Sequence, residues 1–395
     1  MSPLAGLRVL TLEQFGAGPY GSMALADLGA EVIKIESPTL GGDASRHVGP
    51  HMLGQADSQY FQTFNLNKKS VTLDLKTPLG AEAFRRLVAT ADAVVNNLRG
   101  DQPDKLGLTY DALKAVNPRI VCLHISAYGR ENERRGWPGY DYLMQAETGI
   151  MSVTGEPDGA PTRLGLSMID FMTGITGAVG LLAAILKART SGIGADVDTC
   201  LFDVALHQLS YPATWYLNEG DVPARMARSA HLSAVPVQTF ETADGWLFIM
   251  CMTDKFFNAL VGAMNRADLA SDERFSTMKA RRANRGLLTQ ELDAEFAKAG
   301  TQEWLSRLNG LLPVAPVFDI PQAFANPFVE RIGMVTQVPH PQRADLRCLA
   351  SPLRINGERP QASACSPLGA DTESVLRGIG FGADEIAALR AGAAA

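Results

Sequence analysis

Two places in the sequence combine residue type and spacing in a way that could do chemistry. The first is Gly16-Ala17-Gly18-Pro19-Tyr20-Gly21, a GxGxxG turn between a strand-like and a helix-like run, with the acidic Glu36 ending the next strand-like run. Dinucleotide-binding folds use this pattern to seat a pyrophosphate on backbone amides, which opens a reading as a nicotinamide oxidoreductase. The plainer reading is a tight strand-to-helix turn that needs glycine whatever it binds, and Pro19 lacks an N–H where a phosphate would want one. The second place is Asp170, a carboxylate inside the nearly apolar run Met168 to Leu186, MIDFMTGITGAVGLLAAIL. Burying it is costly unless something satisfies it. As a helix-cap residue it would accept backbone N–H bonds at the positive end of a helix. The same amides could instead hold a reactive carboxylate, ionised and aimed, in a dry pocket. On these residues alone both readings stand.

Other reactive types offer less. His124 in RIVCLHIS and His207 in FDVALHQL read as core histidines, with no His-x-Glu or His-His spacing to hold a metal. Five cysteines (122, 200, 251, 348 and 365) are scattered without a CxxC pair, so neither a zinc site nor a disulfide framework is expected and a reducing cytoplasm fits best. No GxSxG elbow marks a hydrolase triad.

Elements that could position these groups follow from hydrophobic pattern. LRVLTL (7–12), AEVIKIE (30–36), SVTLDL (70–75), DAVVNN (92–97) and RIVCLHIS (119–126) alternate with helical stretches at 20–28, 80–91 and 110–115, the rhythm of an α/β fold with a parallel sheet. A helical stretch at 140–150, a long helix from about 170 to 189 and a further strand, ADVDTCLF, come next. The long helix would trip a membrane window but carries Asp170 in its first turn and has no second span beside it, so it reads as a buried helix of a soluble protein. Its Gly174, Gly177 and Gly180 would admit a close packing partner. After about 225 the composition changes: VPVQTFETADGWLFIMCM reads as a hairpin turning at Asp244-Gly245, followed by helices at 254–264, 286–299 and 302–310 and a proline-marked extended segment. A helical tail precedes a frayed terminal AGAAA.

Composition agrees with an enzyme-sized globular chain. The 395 residues, 46% hydrophobic and 20% charged, exclude disorder and leave room for two domains. With 36 Lys and Arg against 42 Asp and Glu, the net charge of −6 gives no basic run to track a nucleic acid. The N-terminus runs straight into strand-like sequence without the basic stretch and apolar core of a signal peptide.

Read in order, several stretches resemble the family III CoA-transferases, the group of formyl-CoA transferase and carnitine CoA-transferase. They are LRVLTLEQFGAGPYGSMALADLGAEVIKIESP, GGDASR, YFQTFNLNKKSVTLDLKTPLG, NNLRGDQPDKLGLTYDALKAVNPRIVCLHISAYG, GYDYLMQAETG and LGLSMIDFMTGITGAVGLLAAIL. The FETADGWLFI hairpin, DERFSTMKARRANR, LPVAPVFDIPQAFANP and SPLGADTESVLRGIGF extend the likeness across the chain. The resemblance implies a Rossmann-like large domain (1–200, completed by a return segment at 330–395), a smaller α+β domain (225–315) and an interlocked homodimer. It also implies that Asp170 is a nucleophile that carries CoA between an acyl-CoA, succinyl-CoA being a candidate, and a carboxylic acid acceptor. The expected path is an aspartyl anhydride and an aspartyl-CoA thioester, with no tightly bound cofactor and with coenzyme A thioester as substrate.

By the same match Gly16 and Ala17 line the first turn, and Leu73, Asp74, Leu75 and Lys76 border the nucleotide. Asn97, Leu98 and Arg99 follow the fourth strand, with Lys105 nearby and Gly139, Tyr140 and Asp141 beside the thioester. Lys76, Arg99 and Lys105 are the expected phosphate cations, with Arg46 a further candidate, and Arg163 or Arg228 are candidates for a second carboxylate. Two departures matter. α-Methylacyl-CoA racemases, the alternative reading within the family, carry a histidine base where this chain has Tyr140. MCMTDKFFNAL lacks the glycine run of the formyl and oxalate enzymes, and Gly16 stands where those enzymes present glutamine. Other partners implied are the acyl-CoA and acid substrates and a second copy of the chain, with neither nucleic acid nor membrane.

Overall fold

The computed structural model describes residues 2–392, so the last three residues of the terminal AGAAA lie outside the described residues. The chain forms two compact units, one of residues 1–148, 165–209 and 328–395, the other of residues 149–164 and 210–327. The segment 149–164, expected in the large domain, clusters with the second unit.

The first unit is built on six parallel strands: β1 Arg8–Leu12, β2 Glu31–Glu36, β3 Lys69–Thr72, β4 Ala93–Asn96, β5 Val121–Ser126 and β6 Ala195–Cys200, in the spatial order β3-β2-β1-β4-β5-β6. This is the doubly wound order whose topological switch lies between β1 and β4, the place where such sheets bind ligands beyond their carboxyl ends. The central strands are covered on both faces, so every residue of β5 is buried and polar ones must find partners inside. His124 does so, with Nδ1 bonded to Asn96 Nδ2 at 2.8 Å and Nε2 to Asp196 Oδ1 at 2.9 Å. His207, by contrast, is exposed and is not a core residue.

Helix α1, Ala17–Asp27, leaves β1 and crosses the long helix Met168–Ser191 at Gly21 and Gly174, where a Cβ on either would drive into the other's backbone. Gly177 and Gly180 face side chains of β5 and β6, Leu123 and Ile125 for one and Val197 for the other. The long helix is long and apolar enough to cross a bilayer by length and composition, yet one face rests on α1 and the sheet. It is not buried all round as expected: Ile175, Val179 and Leu186 form an exposed apolar stripe, 37%, 63% and 67% accessible.

β3 would leave an open sheet edge. The C-terminal segment closes it: Ser70 N–H donates to Asp371 Oδ2 and Thr72 N–H to Thr372 Oγ1, both at 2.9 Å, while Asn67 pairs with Ser363 and Gln62 with Cys365. Leu376 and Ile386 of the last two helices, and Phe381 between them, then enter the core under β1, β2 and β4. A short ribbon of β10, Val335–Gln337, and β11, Arg347–Leu349, precedes them.

In the second unit β7 Val237–Glu241 and β8 Trp246–Met250 pair antiparallel around the turn at Asp244-Gly245. A third strand, β9 Val314–Pro316, adds to β8 in the stretch read as extended from its prolines, and Pro316 sits on this edge strand where its missing N–H costs nothing. Phe240, Phe296 and Trp304 stack in its core, with Trp304 Nε1 donating to Phe296 O at 2.8 Å.

Candidate active site

The switch point gathers the sequence's two chemical features. Just past β4, Asn97 grips the turn after β1 by both backbone groups of Gln14, accepting its N–H at 2.8 Å and donating to its carbonyl at 2.7 Å. Phe15 is thereby held at a φ of 60°, a left-handed conformation that a bulky residue rarely adopts, with its N–H toward Asp43 Oδ1 at 3.3 Å. The bend brings Gly16 against the start of the long helix, where a Cβ would lie 2.6 Å from Asp170 Oδ2. The three glycines of the fingerprint are thus spent on the protein itself: Gly16 on Asp170, Gly18 on Asn97 and Glu13, Gly21 on Gly174. Glu36 is equally committed, to Arg46 at 2.7 and 2.8 Å, Ser70 Oγ at 2.6 Å and the Asp43 N–H at 2.9 Å, so it has no lone pair left for a ribose. The dinucleotide reading falls with it.

Asp170 is the third residue of the long helix. It is not the cap: the N–H groups of Ile169 and of Asp170 itself donate to Asp141 Oδ2, at 2.6 and 3.0 Å. Nor do those amides hold the Asp170 carboxylate ionised. Burial first, then the neighbouring charge of Asp141, push its pKa up to about 7, and among the described residues no side chain donates to it. Beside it an aromatic wall forms, Tyr20 on Phe171 at 4.8 Å and Phe64 on Phe171 at 5.8 Å between centroids. Tyr60, on α2 (Gln59–Asn65), belongs to this setting: burial raises its phenol pKa and the Asp170 charge adds to the shift. The sequence reading missed Tyr60, whose only local signal is an aromatic pair, Tyr60-Phe61, in a helix too short to show a period.

The remaining candidates fall in three places. Gly139, Tyr140 and Asp141 lead into the helix Asp141–Glu147, with Asp141 buried and Tyr140 60% exposed, its ring edge-on to Phe15 at 6.2 Å. Leu73, Asp74, Leu75, Lys76 and Leu98 line a cavity of about 220 Å³ at the carboxyl ends of β1 to β4, together with Leu12, Glu13, Gln14 and Leu106. Its leucine walls suit a flat ring, and Lys76 is the cation on its rim. Arg99 and Lys105 lie outside that lining, both drawn to Asp101, at 3.4 and 2.6 Å, and both well exposed. Ala17 lies in the first turn of α1, buried against the long helix.

Three further candidate cations have partners within the protein. Arg46 is wholly buried, forked onto Glu36 and stacked 3.8 Å over Phe61, and so holds the β2 end in place instead of meeting a phosphate. Arg228, in the second unit, is paired with Asp293. Arg163, in the same unit, is exposed and donates to Leu164 O. Among the described residues no group of three His, Cys, Asp or Glu side chains is arranged to hold a metal ion.

A family model described as CoA-transferase family III matches residues 4–372. The chain belongs to CoA-transferase family III. Among family III relatives, a succinate–glutarate CoA-transferase of Agrobacterium fabrum is 37% identical over 84% of each chain, and a succinyl-CoA:mesaconate CoA-transferase of Haloarcula hispanica is 34% identical over 98% of this chain and 99% of its own. A CaiB/BaiF family protein from Brucella suis superposes with a TM-score of 0.83 at 34% identity, covering 96% of this chain and 99% of its own. As a family III CoA-transferase this chain is an enzyme that acts on CoA thioesters and carboxylic acids. The relatives give no support to the racemase alternative, whose histidine is Tyr140 here.

Proposed function

We propose that this enzyme takes CoA from succinyl-CoA and passes it to a second dicarboxylic acid, with Asp170 as the nucleophile. The observation that carries the reading is an unbonded, half-buried carboxylate pressed against Gly16 at the switch point of the sheet. One Asp170 oxygen attacks the thioester carbonyl carbon; the C–S bond breaks and the CoA thiolate leaves, giving a mixed anhydride. The thiolate attacks the aspartyl carbonyl, the donor acid leaves as its carboxylate, and the enzyme holds CoA as an aspartyl thioester. An acceptor carboxylate then runs both steps in reverse, and Asp170 returns as a free carboxylate. Each step exchanges acyl bonds of similar energy, so the protein's task is positioning. The nucleotide end of CoA lies in the leucine-walled cavity, with Lys76, and with Arg99 and Lys105 turned from Asp101, meeting phosphates. The named substrates of the relatives support a dicarboxylate donor and acceptor.

The exposed stripe Ile175, Val179 and Leu186 supports a homodimer in which a second copy covers this helix face. Five unpaired cysteines, four of them buried, fit work in the cytoplasm.

The test is mass spectrometry after incubation with a panel of acyl-CoAs and quenching with hydroxylamine. A hydroxamate on the Asp170 peptide with succinyl-CoA, absent in Asp170→Ala, is the expected result. An adduct on another residue, or full transferase activity in Asp170→Ala, overturns it.

A further inference from the structure

The long helix begins without a cap of its own. Ser167 at its N-cap position has φ −81° and ψ 62° and makes no side-chain bond to the first turn. An acidic residue at the third position of such a helix ordinarily folds back onto the free amides at its start, which satisfies the carboxylate and blunts it. Asp170 stands at that position and does not do so; two of the amides at the helix start, those of Ile169 and of Asp170 itself, are taken. Asp141, from a separate element 28 and 29 residues earlier, accepts the Ile169 and Asp170 N–H groups on a single oxygen, Oδ2. Its other oxygen is held by Gln145 Nε2 one turn along its own helix, and Gln145, fully buried, also reaches Leu166 O at 3.5 Å, just ahead of the long helix. Asp141 is 3% exposed, so both of its oxygens work inside the protein.

We propose that Asp141 is a positioning residue for the nucleophile: by capping the long helix from outside through the Ile169 and Asp170 amides, it occupies the donors nearest Asp170 and leaves that carboxylate unbonded against Gly16. This rests on Asp170 being the nucleophile and gives Asp141 a role other than touching the thioester. An unbonded carboxylate next to a like charge is a better nucleophile than a capped one, and it is held on the Gly16 side for attack. The groups facing Asp170 are Asp141 from the helix Asp141–Glu147 and the Tyr60 phenol from α2, with Tyr142 and Asp43 beyond Tyr60; α1 presents Gly16 and, a turn on, the Tyr20 ring over Phe171. Asp141 is the charged group that acts on it, so removing that charge must change how Asp170 titrates.

The experiment compares Asp141→Asn, which keeps a cap acceptor and loses the charge, with Asp141→Ala, which loses both. In protein labelled with ¹³C at the aspartate carboxyl, the Asp170 resonance is assigned by its loss in Asp170→Asn and followed with pH. In Asp141→Asn the Asp170 titration is expected to move down by at least one pH unit, and the acidic limb of kcat/KM to move with it. In Asp141→Ala, kcat is expected to fall at least 100-fold while KM for the acyl-CoA changes less than threefold. An Asp170 titration that does not move in Asp141→Asn overturns the proposal, as does an Asp141→Ala whose loss lies in KM. The resonance reads Asp170 whether or not it is the nucleophile, and retained activity in Asp170→Ala would sink that reading separately.

Discussion

Asp170 attacks only as the anion, and burial beside Asp141 has pushed its pKa to about 7. For free enzyme and acyl-CoA, kcat/KM should therefore rise about tenfold per pH unit below neutrality and level off above it. The same shift has a sign in stability. Because the folded protein holds this proton more tightly than the unfolded chain, folding loses stability as pH rises from about 4 to 7. Asp170→Asn should then be the more stable protein by about 1–2 kcal/mol at pH 8, after discounting for partial exposure, and no more stable at pH 4. Urea melts at the two pH values check this. Gly16→Ala places a methyl 2.6 Å from Asp170 Oδ2, so kcat should fall at least 100-fold with little loss of stability. Asp170 was legible because a charge in an apolar run demands a cause. The cause itself was not, since its cap comes from Asp141 through folding and no local pattern records a partner so far upstream. Arg46 was misread for a related reason: a cation in a glycine-rich loop looks the same in sequence whether it meets a ligand or, as here, a buried glutamate.

At the scale of elements, β1, β2, β4 and β5 declared themselves by apolar, β-branched runs, even where β2 carries Lys34 and Glu36, and β6 by alternation. Those two charges are buried with Glu13, Asp43, Arg46 and Lys68 in one network, Lys34 bonding Asp43 at 2.8 Å and Lys68 bonding Glu13 at 2.8 Å. Removing one member strands another: Arg46→Met should cost about 3–5 kcal/mol in urea unfolding, whereas a phosphate ligand would leave stability intact and raise KM for CoA. β9 escaped notice because it is three residues long and bounded by Pro313 and Pro316, a composition that also describes a loop. The crossing of α1 with the long helix depends on having no side chain at Gly174, and Gly174→Ala should destabilise by about 1–3 kcal/mol while pulling Asp170 away from Gly16; a Tm unchanged within error would contradict that packing.

At the scale of the molecule, the apolar stripe on the long helix is where the proposed second copy would sit. Light scattering should give twice the chain mass for the wild type, and Val179→Glu with Leu186→Lys should give one chain with an unaltered far-ultraviolet CD spectrum; a wild-type monomer would remove the second copy from the account. Residues 363–372 close the edge of β3 from the far end of the chain. This sets an order in time. A growing chain makes β3 and must then add about 300 residues before the side chains that cover its edge exist, roughly 15–60 s at 5–20 residues per second. Within that interval residues 210–327 are made in full, before the side chains that cover the β3 edge exist. A chain cut short at residue 360 would keep Asp170, Gly16 and Asp141 and never close the sheet that holds them.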